Sequence, residues 1–365
     1  MRRSKFAGSL AAALTAVLAA PASAGEVHLY SWSDYMGSKA IPAFTSETGN
    51  KVVYDVFDNN DLAETKLLAG KSGYDVATPN VSPHFARQIA AGIWAPLDKS
   101  KLANLVNIDS GILEKLSGID PGNARGVPWL WGTTGIIFNA QKVHEIMPDA
   151  PVNSWKILFD PQIVSKFKTC GVLMLDDAEQ VLGSVLISMG KPADTGNEAD
   201  LAAAVDVIKK VRPFVRKFHS SEYTDGLANG DYCIVLGFSG DAHVAALRSQ
   251  EAGHPLDIQY RIPDEGALVY TDVLAVANDA PNPIAAHAFI NTLMRPDIAA
   301  SAAIETGFAT ANTEAKKLVP EAITSDPNLY PPAAIMAKLT LPKVQTAKVT
   351  RMWQKAWQKA IGQRG

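Results

Sequence analysis

Cysteine is almost absent from this chain of 365 residues, which carries only Cys170 and Cys233. Two cysteines exclude a disulfide-dense mini-protein, and at 63 positions apart they make no CxxC redox motif. Two sulfurs alone do not complete a structural zinc site either. Charge of one sign is also lacking, since 34 Lys plus Arg stand against 37 Asp plus Glu and the signs are interspersed, net −3. Phosphate binding needs clustered Lys and Arg, so nucleic acid is not an expected partner. Catalytic motifs are missing as well. There is no HExxH, GxGxxG or P-loop, and Gly237-Phe238-Ser239-Gly240-Asp241 ends in Asp where a nucleophile elbow needs Gly. The seven histidines, among them His28, His84, His219 and His243, lack metal-ligand spacing. No enzymatic activity, cofactor or metal is therefore expected. The 47% hydrophobic fraction excludes disorder, and the length suggests about two domains.

Long apolar runs are scarce too. The one at Leu10 to Ala20 follows the basic Arg2, Arg3 and Lys5 and precedes the small residues Ala22-Ser23-Ala24, the pattern of a secretory signal peptide over residues 1–24. It falls short of the roughly 20 apolar residues that span a bilayer. Removing it leaves 31 cations against 37 acids, net −6, in a mature chain expected to start at Gly25 and to work in the periplasm. In that oxidising compartment Cys170 and Cys233 are expected to form a disulfide, worth about 4 kcal/mol on a chain-entropy model.

What the chain does contain is an α/β rhythm. Val27 to Trp32 reads as a strand, Lys39 to Thr48 as a helix stopped by Gly49, and Lys51 to Phe57 as a second strand. A helix follows over Asp61 to Ala69, with Asp61 as cap, Glu64 completing a capping box and Gly70 as stop. Tyr74 to Ala77 reads as a short strand broken by a loop at Pro79 to Pro83. Gly126 to Asn139 reads as a strand passing from one lobe to another, and Ala267 to Ala277 as the return. Lobe 1 then comprises residues 25–132 with about 268–306, and lobe 2 comprises 133–267 with about 307–365, including C-terminal helices. Val349, Trp353, Ala356, Trp357 and Ala360 recur at helical spacing and read as packing surface.

Aromatics beside acids recur at predicted strand ends, where open α/β sheets bind ligands. Trp32-Ser33-Asp34-Tyr35 follows the first strand, Asp176 and Asp177 follow Gly171 to Leu175, Phe238 to Asp241 follow Tyr232 to Gly237, and Tyr270-Thr271-Asp272 lies in the return. Asp and Ser at strand ends commonly serve turns and caps, so the conjunction carries the argument. It suits an organic cation with an aliphatic body. A buried ammonium needs a paired carboxylate, while aromatic faces add cation-π attraction and cover methylenes. Acids set apart with aromatics between them read a diamine by its length.

Several phrases resemble one family. His28-Leu-Tyr-Ser-Trp-Ser-Asp-Tyr35, Lys51-Val-Val-Tyr-Asp-Val-Phe57, Pro96-Leu-Asp-Lys-Ser-Lys-Leu102, Thr133-Thr-Gly135, His219-Ser-Ser221, Leu227-Ala-Asn-Gly-Asp231 and Tyr330-Pro-Pro332 resemble the periplasmic polyamine-binding proteins of ABC uptake systems, especially the putrescine-binding branch. The resemblance runs from about residue 26 to the C-terminus. It implies a two-lobed α/β periplasmic binding protein of type II topology, with a hinge and central cleft. The implied partners are a polyamine and a membrane-embedded ABC permease, and a monomer is compatible with that delivery.

Carried over by position, the resemblance makes Trp32, Ser33, Asp34 and Tyr35 a first-lobe wall, Asp241 and Asp272 ammonium-holding carboxylates, and Tyr270 an aromatic wall. It also pairs Cys170 with Cys233. Four further ligand positions depart from the family pattern: Phe238 replaces Trp, Gln180 stands where an acid is usual, Phe308 replaces Tyr, and Asn80 replaces Ser beside an extra residue near Ser82 and Pro83. These departures imply a ligand differing from putrescine in length, charge or affinity. A polyamine sensor that signals through a membrane receptor uses the same cleft and is the alternative. An exported hydrolase would need a nucleophile and a base converging there.

Overall fold

A computed structural model of the chain describes residues 25–362. The expected signal peptide, residues 1–24, lies outside the described residues. The strands in chain order are β1 (Glu26–Trp32), β2 (Lys51–Phe57), β3 (Val76–Ala77), β4 (Gly126–Asn139), β5 (Val172–Met174), β6 (Lys217–Phe218), β7 (Ile234–Phe238), β8 (Ile258–Arg261), β9 (Ala267–Val276), β10 (Ala309–Thr310) and β11 (Leu339–Thr340). Helices separate most of them, and the hydrogen-bonded order is β2-β1-β3-β9-β4-β7-β5-β6. Among the described residues no helix is long and apolar enough to cross a membrane.

Strand alternation builds the first half. Val27 and Leu29 of β1, Val76 of β3, and Leu274 and Val276 of β9 enter one core, whereas Tyr30, Ala77, Val273 and Ala275 enter a core on the opposite face. Period-two alternation with apolar residues on both faces is what a sheet covered by helices on both sides requires. The helix Ala40–Thr48 closes at Gly49, whose φ of 73° lets its N–H reach the Thr45 carbonyl.

Two local expectations are corrected. The helix expected from Asp61 runs over Asn60–Leu68, capped by Asn59, whose side-chain oxygen accepts from the N–H groups of Asp61 at 2.8 Å and Leu62 at 3.1 Å. Glu64 does not close a capping box but accepts from the Arg87 guanidinium at 3.2 Å. The strand expected from Tyr74 pairs only at Val76–Ala77. Asp75, one residue earlier, turns its carboxylate onto the backbone N–H groups of His28 at 2.9 Å and Asn282 at 2.5 Å.

Strand β4 joins the two halves. Its first part, Gly126 to Thr133, pairs with β9, while Thr134 to Phe138 pairs with β7 and Ile136 to Asn139 with β8. A separate core surrounds Ile136, Val172, Leu186, Ile208 and Val235. β9 makes the return, with Ala267 in that second core and Tyr270 and Leu274 in the first. Residues after 306 do not all belong with the second lobe: Phe308, Ala311, Ala315 and Val319 pack in the first core, because β10 pairs with Trp131 and Leu130 in the first part of β4. The terminal helix Ala347–Ile361 does join the second core through Trp353, Ala356, Trp357 and Ala360, the apolar stripe read from its spacing.

Cys170 and Cys233 are disulfide-bonded beside the paired strands β5 and β7, with Cα atoms 5.6 Å apart. Replacing both by alanine is expected to lower stability by about 2–4 kcal/mol through restored unfolded-chain entropy. Thermal unfolding followed by circular dichroism checks this; an unchanged midpoint would show that the bridge adds nothing.

Candidate functional site

Four strand ends and one crossing strand converge on a cavity of about 100 Å³ between the two cores. Trp32, Ser33, Asp34 and Tyr35 enter from the end of β1, and Asn80 from the segment after β3. Gln180 comes from the first turn of the helix Ala178–Ser188, and Phe238 and Asp241 from the junction of β7 with the helix Ser239–Glu251. Tyr270 and Asp272 stand two residues apart, on one face of β9, and Phe308 immediately precedes β10. The eleven positions carried over from the resemblance therefore line one cavity, whereas Asp176, read from the end of β5, instead accepts from the Trp357 indole N–H at 3.0 Å.

The aromatic rings form a continuous wall. Phe238 meets Tyr270 with ring centres 5.1 Å apart, Tyr270 meets Phe308 at 6.2 Å, and Tyr35 meets Phe308 at 5.6 Å, each edge-to-face. Trp32 stacks obliquely on Phe57 at 4.5 Å. Gly132 on β4 is directly opposite Tyr270, and a Cβ there would stand 2.6 Å from the tyrosine hydroxyl. Glycine is thus required for the ring to lie where it does. Among the described residues the Tyr270 hydroxyl and the Trp32 indole N–H are buried without a hydrogen-bond partner. Such orphaned groups are uncommon.

Asp272 is 3% exposed, and its oxygens accept from the Tyr35 hydroxyl at 2.8 Å and the Asn80 amide at 3.3 Å. Burial pushes its carboxyl up to about 7 against the pull of those two donors. Asp241 accepts a short hydrogen bond from Tyr223, whose hydroxyl also accepts from the Phe238 N–H at 3.2 Å. Burial raises Asp241 to about 6, with the Tyr223 hydroxyl and the Arg248 charge opposing the rise. Among the described residues both carboxylates are thus held by hydroxyls and an amide, with no ion pair to a cation.

The remaining polar positions behave differently. Gln180 accepts from the Thr134 hydroxyl at 2.5 Å, which anchors a neutral amide at the cavity wall. Its neighbour Glu179 points away, 3.9 Å from the Arg87 guanidinium, and burial pushes it up to about 7. Asp177 lines the cavity while capping its helix through the N–H groups of Glu179 and Gln180, each at 2.9 Å. Asp34, in the first-lobe wall, meets Arg248 at 2.7 Å.

Sequence reasoning missed Asn60, Phe57, Thr224, Val244, Arg248 and Thr306 in the lining, along with Tyr223 behind Asp241. Arg248 carried a usable signal, being seven residues, about two helical turns, beyond Asp241 on one helix. Ser220 and Ser221 also line the cavity and belong to the His219-Ser-Ser221 phrase.

Residues 39–331 match the family described as bacterial extracellular solute-binding protein. The chain is 44% identical over 335 residues to the putrescine-binding periplasmic protein SpuD of Pseudomonas aeruginosa, covering 91% of each chain. It is 41% identical over 358 residues to the putrescine-binding periplasmic protein PotF of Escherichia coli, covering 97% of this chain and 96% of the other. The solved spermidine/putrescine ABC transporter substrate-binding protein PotD of Streptococcus pneumoniae superposes with a TM-score of 0.73 at 27% identity, covering 92% of this chain and 98% of that one. Two cores joined through β4 and β9 and a cavity between them agree with these likenesses, and the chain belongs to the bacterial extracellular solute-binding proteins, with the type II periplasmic-binding fold.

Proposed function

We propose that this protein captures putrescine or a close diamine analogue in the periplasm and delivers it to the membrane-embedded permease of an ABC importer. The observation that carries this reading is the pair Asp241 and Asp272, set in an aromatic cavity with hydroxyls and an amide as partners instead of cations. A carboxylate removed from water gains most from a cation brought to it, and two of them ask for two ammonium groups. The wall of Tyr35, Phe238, Tyr270 and Phe308 suits the methylenes and adds cation-π attraction. The orphaned Tyr270 hydroxyl, which can accept from an ammonium, strengthens the reading.

Binding is the role that the relatives' names support, SpuD and PotF both being putrescine-binding periplasmic proteins. We take the working form to be a monomer, as delivery to a permease allows. We take the lobes to be residues 25–132 with about 268–306, and 133–267 with most of the remainder, the segment from Phe308 to Val319 staying with the first lobe. Closure of the lobes over the ligand is a population shift driven by the better fit of the diammonium to the closed form.

Calorimetry on the amine-free mature protein with putrescine, cadaverine, agmatine and spermidine tests the reading; heat is expected with at least one diamine, and none from any amine would overturn it. Asp272→Asn and Asp241→Asn are each expected to weaken binding on the order of 100-fold, because each strands an ammonium beside a neutral amide. An affinity unchanged by either substitution removes that residue from the site.

Proton competition gives a third expectation. In the ligand-free protein Asp272 titrates at about 7 and Asp241 at about 6, and an incoming ammonium requires both ionised. Affinity should therefore fall as pH drops from about 8 to 5, with protons released on binding within that window. Both folded values lie above those of an unfolded carboxyl, so the ligand-free fold loses stability as pH rises from about 4 through about 7, the full cost is present above that window, and bound diammonium offsets it. The ligand-induced rise in Tm should accordingly be larger at pH 8 than at pH 5, and a rise independent of pH argues against contact with these carboxylates.

A further inference from the structure

Asp34 and Arg248 form a contact that ligand capture alone does not explain. Asp34 follows β1 with a positive φ of 55°, which turns its carboxylate outward, and it is 68% exposed where its neighbour Tyr35 is 4% exposed. The Arg248 guanidinium meets Asp34 at 2.7 Å with one nitrogen and Asp225 at 2.7 Å with the other. Tyr35 and Met36 anchor the Asp34 side in the first core, whereas Ala242, Ala245 and Leu227 anchor the Arg248 and Asp225 side in the second. The bridge therefore runs from one core to the other. A planar guanidinium held at two nitrogens is fixed in direction as well as in charge.

Its position adds the functional content. Asp34, Tyr35, Val244 and Arg248 line the inner cavity and also a groove of about 450 Å³ on its outer side. These four side chains are thus the partition between the cavity and the groove. We propose that Asp34 and Arg248 are positioning residues forming an interlobe latch across the exit, with Asp225 aiming the guanidinium, and that the latch sets how long the ligand stays. Asp34 acts on the ligand through Arg248 and not by direct contact. This inference rests on the solute-binding reading above. The latch lies at the surface, so its effect is modest and sensitive to salt.

The test is a double-mutant cycle read by stopped-flow release of putrescine from the mature protein. Asp34→Asn and Arg248→Gln should each speed release by about three- to tenfold, with association changed less than about twofold, the usual partition for contacts made after docking. The double variant should be no faster than the faster single variant, because either change already breaks the latch. Salt should speed release from the wild type and leave the variants nearly unaffected. Multiplicative effects in the cycle, or slow release from Arg248→Gln, would overturn the latch. Amide hydrogen exchange on the amine-saturated protein separates this from failure of the polyamine reading, which calorimetry decides first. With binding retained, Arg248→Gln should lose protection over residues 33–38 and 244–251, and identical exchange in variant and wild type would reject the latch while the polyamine reading stands.

Discussion

The desolvation of Asp272 is the constraint on which the site depends. A carboxylate at 3% exposure, fixed by the Tyr35 hydroxyl and the Asn80 amide, is affordable only because its charge can be neutralised from outside the fold or by a proton. The rest of the cavity follows from keeping that position dry and shaped. Tyr35 is itself clamped against Phe308, Phe308 against Tyr270, and Tyr270 is admitted only because Gly132 opposite has no side chain. Disturbing any one of these shifts the donor that holds the carboxylate.

The same residues sit where the two cores exchange strands. β9 carries Tyr270 and Asp272 as it leaves the second core, and β4 passes Gly132 to Thr134 in the opposite direction. Aromatics and acid therefore rest on rigid backbone and not on loops, which suits preorganised recognition. Asp241 comes from the other side, in the first turn of a helix whose N-terminal dipole favours its charged form; burial outweighs that help and leaves the carboxyl raised to about 6. The two acids thus approach the cavity from different cores, and a ligand that satisfies both links the cores through its own charges.

Much of this was legible in the residues because local rules fixed it. Alternation placed β1 and β2, Gly49 stopped its helix, and the helical stripe at Trp353, Ala356, Trp357 and Ala360 identified a packing face. Aromatic-acid pairs at strand ends led to the cavity because such ends converge in an open sheet. What stayed hidden depended on direction and on distant partners. Asn59 displaced Asp61 as cap through its backbone conformation, and Asp61 instead faces His84 at 3.2 Å. Asp34 stands between two cavity-lining neighbours, and only its positive φ and an arginine more than 200 residues away turn its charge outward. The pairing of Tyr223 with Asp241 likewise joins segments that carry no mutual signature in sequence.

Counting the acids by what each already holds narrows the electrostatic demand. Among the described residues four carboxylates line the cavity: Asp34, Asp177, Asp241 and Asp272. Asp34 shares the one Arg248 charge with Asp225, and Asp177 is engaged with two backbone N–H groups of its helix. That leaves Asp241 and Asp272 as the two with neither an ion pair nor a backbone cap to hold, which suits a ligand carrying two positive charges. At Gln180 the amide is held by Thr134 and contributes a dipole without a charge. Among the described residues a third ammonium would find only carboxylates already engaged with a cation or a helix cap, and it would stand near the Arg248 guanidinium wherever it extended toward Asp34. Because burial makes an unpaired ammonium far more costly than an unfilled methylene position, the count of free acids discriminates among polyamines more strongly than the length of the aromatic wall does.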